Sequence, residues 1–367
     1  MFQIFLRLLT LAVTAFFVSA YKGEAAPASP KAPLYFPAVG SSFWETMTPQ
    51  SLGWNTAALP ELISFLNKNN TRAFLLLKDG KIVVEHYNGS VARGRPFQVN
   101  SRWYWASAGK TVTAFMVGKA QEDGYLSITD PTSRYLGNGW TSLAPAQEHQ
   151  ITIRHQLTMT TGLNDLVPNR NCTTPACLTY RAAPDTRWAY YNAPYTLLSQ
   201  VVEKATKQEF QTYFQTQLRD KIGMDGQWRH LQDNYVYIST PRSMARFGLL
   251  MLNNGKWGDT PILKDAAFLN AMVRTSQPLN PSYGYLWWLN GKASFLLPTS
   301  QRSFSGSIVP NAPTDMYAAL GKNGQFLNVV PSQGLVLVRM GEAPSEEEVP
   351  VVFLNEIWKR VNAVVKK

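Results

Sequence analysis

The chain has 367 residues, 45% of them hydrophobic and 16% charged, which is ample material for a large core. Its 35 Lys and Arg against 24 Asp and Glu give a formal +11, a balance that favours anionic surfaces or substrates. No Lys/Arg-rich run, aromatic-interleaved basic stripe or nucleic-acid motif accompanies that charge, so it reads as a dispersed basic surface and not as a nucleic-acid binder.

Residues 1–20 carry Arg7, then the apolar run Leu8–Ala20 ending in Val18-Ser-Ala20, with small residues where a signal peptidase needs them. The run is short for a membrane span, and the reading is a signal peptide cleaved near Ala20. A retained N-terminal membrane anchor is the other reading. Residues 21–40 are rich in Pro and Ala and read as a linker, which leaves 41–367 as the folded domain.

A helix is predicted over Ala58–Lys68, with Leu59, Leu62, Phe65 and Leu66 on one face. Ala73–Lys78 and Lys81–Tyr87 flank Asp79-Gly80, a strong short-range signal for a hairpin. Next comes Trp103-Tyr-Trp-Ala-Ser107-Ala-Gly-Lys110, after which Val112, Phe115, Met116 and Ala120 recur at helical steps. Residues three apart on a helix lie on one face, about 5–6 Å apart at Cβ. Lys110 is thereby placed within reach of the Ser107 hydroxyl, at a helix start that favours developing negative charge. A serine needs a neighbour to take its proton, and a lysine serves if burial lowers its pKa. Ser-x-x-Lys alone is weakly specific: it recurs at Ser19-Ala-Tyr-Lys22, where no chemistry is expected.

Ile151–Gly162 reads as a capped helix stopped by glycine. The irregular stretch 164–188 holds Cys172 and Cys177, the only cysteines. With four histidines, none at metal spacing from them, a zinc site is not indicated, and no metal is expected. A small disulfide-closed loop fits an oxidising compartment; two unpaired thiols are the alternative. Helices are predicted over Ala193–Ala205 and Phe210–Lys221, which makes 106–240 an almost wholly helical stretch, and over Ser243–Leu252 beyond it. Strands are predicted over Tyr283–Leu289, Met316–Leu320, Gln325–Val330 and Gly334–Arg339, with a closing helix over Val351–Val365. The expected fold class is α+β: an antiparallel sheet built from both ends of the chain, flanked by N- and C-terminal helices, with an all-helical subdomain inserted over about 106–240.

Ser107-Ala-Gly-Lys110, Tyr190-Tyr-Asn192 and Lys322-Asn-Gly324 occur in that order at wide spacing. The set resembles the serine β-lactamase and penicillin-binding protein superfamily, whose boxes are Ser-x-x-Lys, Tyr-x-Asn and Lys-Thr-Gly. The Tyr-x-Asn form points to the class C-like branch, with its esterase, D-aminopeptidase and 6-aminohexanoate-dimer hydrolase relatives. The resemblance implies the fold just described, with the site between sheet and helical part, and it calls for no cofactor. By it Ser107 would be the acyl-accepting nucleophile and Lys110 its proton-handling partner. Tyr190 would share proton transfer as phenol or phenolate, in the field of Lys110 and Lys322. Asn192 would steady Lys110 and contact a substrate amide, and Lys322 would meet a substrate carboxylate. The N–H groups of Ser107 and Gln325, the residue after Gly324, would form the oxyanion hole.

Three departures stand out: Asn323 replaces the threonine of the third box, Tyr191 fills Tyr-x-Asn, and Gln325 stands where a small residue is usual. Gln325 is expected to crowd a bulky bicyclic lactam. Trp103, Trp105, Trp188, Trp287 and Trp288 are candidates to line the pocket. The function expected is that of an exported serine hydrolase, periplasmic or secreted, cleaving an ester, amide or lactam in a small or short peptide-like substrate. Contact with an anionic cell-wall surface is expected from the charge. The alternative is a penicillin- or cell-wall-sensing module that acylates without turnover.

Overall fold

In the computed structural model, which describes residues 33–91 and 94–366, the turn at Asp79 and Gly80 joins two antiparallel strands, Thr71–Lys78 and Lys81–Tyr87. Both turn residues have positive φ, +47° and +86°, the geometry that suits a tight hairpin. Gly80 is required there twice over, because a Cβ would fall 1.9 Å from the Tyr35 carbonyl oxygen. That hairpin forms one side of a six-stranded antiparallel sheet. From the hairpin the order is Lys81–Tyr87, Thr71–Lys78, Leu335–Gly341, Gln325–Val330, Tyr317–Gly321 and Trp288–Leu289. Thr71 pairs with Gly341 and Lys78 with Leu335, so the sheet is closed by residues from both ends of the chain.

The helices Leu59–Lys68 and Val351–Val365 cover one side, where Phe65 stacks on Phe353 with ring centres 5.6 Å apart. Helix Pro241–Leu252 lies against the central strands, and Gly248 lets it approach: a Cβ there would fall 2.6 Å from Leu327 and Val336 side chains. The expected α+β architecture is therefore the one observed.

Several details differ from the sequence reading. Residues 34–40, expected in the linker, belong to the compact unit that starts at Leu34, with Leu34, Tyr35 and Phe36 packed on the core. The stretch 106–240 is not all helical. Gln227–Leu231 and Asn234–Ser239 form a hairpin that pairs with Trp103–Tyr104 as a separate three-stranded sheet. Its turn bends at Gln232, φ +56°, without the glycine that marks most tight hairpins. The helix expected over Ile151–Gly162 is Ile153–Thr158, capped by Thr152 and ended by Met159 in the left-handed conformation, three residues before Gly162. Tyr283–Trp287 is mostly irregular, with the strand confined to Trp288–Leu289. The expected signal segment, 1–20, lies outside the described residues. Among the described residues no helix is long and apolar enough to cross a membrane.

Candidate active site

Strand Trp103–Tyr104 pairs with Ile238–Ser239 and delivers the chain to Trp105, whose indole N–H donates to the Ser239 hydroxyl at 2.7 Å. Ala106 then takes φ +48°, a left-handed conformation that is uncommon for a residue with a Cβ. It turns the chain into the one-turn 3-10 segment Ala106–Gly109, which runs directly into helix Lys110–Glu122. This helix is not amphipathic as the periodicity suggested. Lys110 through Ala120 are all buried, as expected for a helix enclosed on every side.

Lys110 Nζ is 3.1 Å from Ser107 Oγ. Lys110 is 4% exposed, and its amine lies 4.0 Å from the Tyr195 ring centre and 5.2 Å from that of Tyr190. Burial pushes its pKa down to about 7; the Glu348 carboxylate opposes that shift and the Arg170 guanidinium adds to it. Tyr190 is also buried, and burial raises its phenol, with a hydrogen bond to Ser107 acting in the other direction. Of the two forms expected, phenol or phenolate, burial favours the phenol. Lys110, not Tyr190, is the group whose titration lies near neutrality.

Ser107, Lys110, Tyr190, Asn192 and Lys322 line one pocket of about 200 Å³ together with Glu348, Tyr104, Tyr195 and Tyr235. The tryptophans expected to line it do not. Trp105, Trp188, Trp287 and Trp288 are core residues, and Trp103 lines a separate groove. Tyr104, Tyr190, Tyr195 and Tyr235 take their place in the wall.

Asn192 starts helix Asn192–Thr206, but no hydrogen bond joins it to Lys110 as expected. Its Nδ2 donates to Asn171 Oδ1 at 2.8 Å, and its Oδ1 is buried without a protein partner. Cys172 and Cys177 form the disulfide that the loop reading anticipated.

Lys322–Gly324 falls between the two predicted strands, as the tight turn between Tyr317–Gly321 and Gln325–Val330, with Asn323 at φ +62°. Arg339, fully buried, donates to the Asn323 and Gly324 carbonyls at 2.6 and 3.0 Å and so fixes the turn. Gly324 is buried beneath it and does not line the pocket. The residue pressed against the serine turn is Gly321: a Cβ there would lie 2.5 Å from the Trp105 carbonyl oxygen and 3.0 Å from the Ala108 nitrogen. Gln325 is fully buried, and its amide bonds both backbone groups of Gly341, at 2.7 and 3.0 Å. Its side chain therefore does not crowd the pocket, and the argument against a bicyclic lactam from that residue falls.

Glu348 and Arg170 were not foreseen. Glu348 ends the run Glu346-Glu347-Glu348, which in sequence resembles a solvated acidic loop, yet its carboxylate accepts from Arg170 at 3.3 Å beside the site. Among the described residues no group of three or more His, Cys, Asp or Glu side chains could hold a metal.

The fold is shared widely. The structure of a penicillin-binding protein from Bacillus halodurans superposes with a TM-score of 0.61 at 15% identity, over 82% of this chain and 99% of that one. In sequence, an uncharacterized protein of Alkalihalophilus pseudofirmus is 27% identical over 296 residues, 72% of this chain and 81% of that protein. Penicillin-binding protein 4* of Bacillus subtilis is 27% identical over 170 residues, which span 41% of this chain and 36% of that protein. A sequence profile of the Beta-lactamase family matches residues 69–351, which include Ser107, Lys110, Tyr190 and Lys322. The chain belongs to the Beta-lactamase family.

Proposed function

We propose that this protein is an exported serine hydrolase that cleaves compact esters or amides through an acyl-enzyme on Ser107. The observation that carries the reading is the buried Lys110 amine, 3.1 Å from the serine oxygen and titrating near neutrality. Members of this fold family are generally serine hydrolases, which supports the reaction class.

Neutral Lys110 accepts the serine proton as Ser107 Oγ attacks the substrate carbonyl carbon. The carbonyl electrons move to oxygen, and the oxyanion is held by backbone N–H groups. One donor is the N–H of Ser107. The second is placed on Lys322 and not on Gln325, because Lys322 lines the pocket directly after Gly321, whereas Gln325 is wholly buried. Losing one such donor commonly costs about 3 kcal/mol of transition-state stabilisation. The ammonium formed on Lys110 shares the pocket with Asn192, whose buried Oδ1 has no partner among the described residues. The Tyr190 phenol, kept protonated by burial, relays a proton to the departing alcohol or amine. Water then repeats the sequence on the acyl-enzyme and releases the acid.

A pocket of about 200 Å³ walled by tyrosines suits a small acyl group. Glu348 and Lys322 in that wall act in opposite directions on the carboxylate of a bicyclic lactam, so the small volume is what favours esters and amides over a dedicated β-lactamase role. The disulfide and the leader-like residues 1–20 support export, to periplasm or outside.

The test sets purified protein beside Ser107→Ala, on p-nitrophenyl acetate, a D-alanyl anilide and nitrocefin, with intact-mass detection of adducts. Ester or anilide turnover should fall by about 10³-fold or more in the variant. Unchanged turnover would refute the nucleophile. An adduct on Ser107 that never clears would instead make the protein an acylating sensor, and rapid nitrocefin turnover would make it a β-lactamase.

A further inference from the structure

Between Asn169 and Cys177 the chain forms a strap that bonds each residue of the Tyr190–Ala193 segment. Arg170 Nη2 donates to the Tyr190 carbonyl at 2.8 Å, and the Tyr191 hydroxyl donates to the Cys177 carbonyl at 3.4 Å. Asn192 Nδ2 donates to Asn171 Oδ1 at 2.8 Å, and the Ala193 N–H donates to the Arg170 carbonyl at 3.2 Å. The last bond satisfies one of the N–H groups that a helix start leaves open. The strap is itself tied down. Its second half, which begins one residue after Asn171, is closed by the Cys172–Cys177 disulfide; Asn169 donates to Asp233 at 2.8 Å, and Leu178, just beyond the strap, packs with Tyr191 and Ala193 in a small core of its own.

An amide group is planar, so holding Asn192 Nδ2 fixes the direction of its Oδ1. Asn171 does this from outside the pocket. We propose that the strap is a positioning element of the reaction: Asn171 orients the Asn192 amide, Arg170 holds the Tyr190 backbone, and the disulfide keeps both in register. This rests on the acyl-enzyme reading given above. Opening the disulfide with an external dithiol breaks the S–S bond, yields two cysteine thiols and oxidises the dithiol to its own disulfide. The strap then loses its closure while the side chains that line the pocket are chemically unchanged. Thr174–Ala176 are exposed, so a small dithiol has access.

The experiment compares wild type, Asn171→Ala and Asn171→Asp on p-nitrophenyl acetate, each before and after treatment with dithiothreitol. It follows kcat, KM and the rate of Ser107 acylation by intact mass. Asn171→Ala should lower the acylation rate about tenfold, the loss of one hydrogen bond that acts in the reaction, with KM within about twofold. Asn171→Asp keeps an acceptor for Asn192 Nδ2 and should recover most of that loss. Dithiothreitol should reproduce the slow acylation in wild type, reverse on reoxidation, and add little to Asn171→Ala. Equal changes in kcat and KM, no rescue by aspartate, or rates indifferent to dithiothreitol would overturn the proposal. Turnover that survives Ser107→Ala would instead overturn the acyl-enzyme reading on which it stands.

Discussion

On one side of the pocket Ser107 and Lys110 sit in a turn enclosed by fully buried neighbours: Trp105 and Ala108 within the turn, with Tyr237 and Phe247 packed on Trp105 at ring distances of 5.1 and 6.2 Å. On the other side the segment Tyr190–Ala193 is held by four hydrogen bonds from a loop that contains a disulfide. The serine wall is positioned by volume, since a dense interior has no room to move. The strap wall is positioned by direction, since each bond fixes the angle of one polar group. Errors on the first wall should displace backbone and lower everything together. Errors on the second should change how fast the reaction runs while leaving the fold intact.

The sharpest way to break that division is Lys110→Met, which keeps volume and removes the amine. Activity on p-nitrophenyl acetate should fall by about 10³-fold, because the amine 3.1 Å from Ser107 Oγ that takes its proton is gone. Stability should hold or rise, since exchanging a buried charge-bearing group for a well-packed apolar one is often neutral or stabilising. A large drop in Tm would mean that the lysine is structural first.

A middle-sized effect is expected from Gly321→Ala. Its methyl group would meet the Trp105 carbonyl oxygen at 2.5 Å, so the serine turn or the strand end must shift. Overpacking of this kind costs about 1–3 kcal/mol, and a displaced Ser107 should lower kcat/KM by about tenfold to a hundredfold. Thermal unfolding and ester kinetics measured on one preparation decide it. Lost activity at unchanged Tm would place the glycine in the chemistry and not in the packing.

What the sequence conveyed about these walls follows the same division. The Asp79-Gly80 hairpin, the closing helix Val351–Val365 and the Ser107–Lys110 pairing were legible because local spacing sets them. The strands Gln227–Leu231 and Asn234–Ser239 were missed because a single left-handed residue, Gln232, makes their turn without glycine. Lys322-Asn-Gly324 satisfied the order and spacing of the third box although Gly321 is the residue that touches the serine turn. A glycine required by close approach reveals itself only when its spatial neighbour is known. Arg170, Asn171 and Glu348 come from irregular loops whose placement depends on the disulfide and on distant partners. No periodicity marks them, although two of them stand directly before Cys172.

The smallest effect expected is in the pH profile, and it joins the two walls. Ammonium Lys110 cannot accept the serine proton, so kcat/KM should rise about tenfold per pH unit below about 7 and level off above it. Glu348 favours the ammonium and Arg170 disfavours it. Glu348→Gln should therefore move the rising limb to lower pH and Arg170→Gln should move it to higher pH, with the same plateau shape. Shifts of the same sign would show that the pair acts through geometry and not through charge. The same titration couples to stability. Folded Lys110 releases its proton near 7, while an unfolded lysine holds it to about 10.4. Between those values the unfolded chain binds more protons, so the Lys110 contribution to stability increases with pH. Urea unfolding at about pH 7 and about pH 10 should show that gain in wild type relative to Lys110→Met. A pH dependence identical in the two proteins would place the titrating group elsewhere, and the limb in the rate profile would then belong to that group as well.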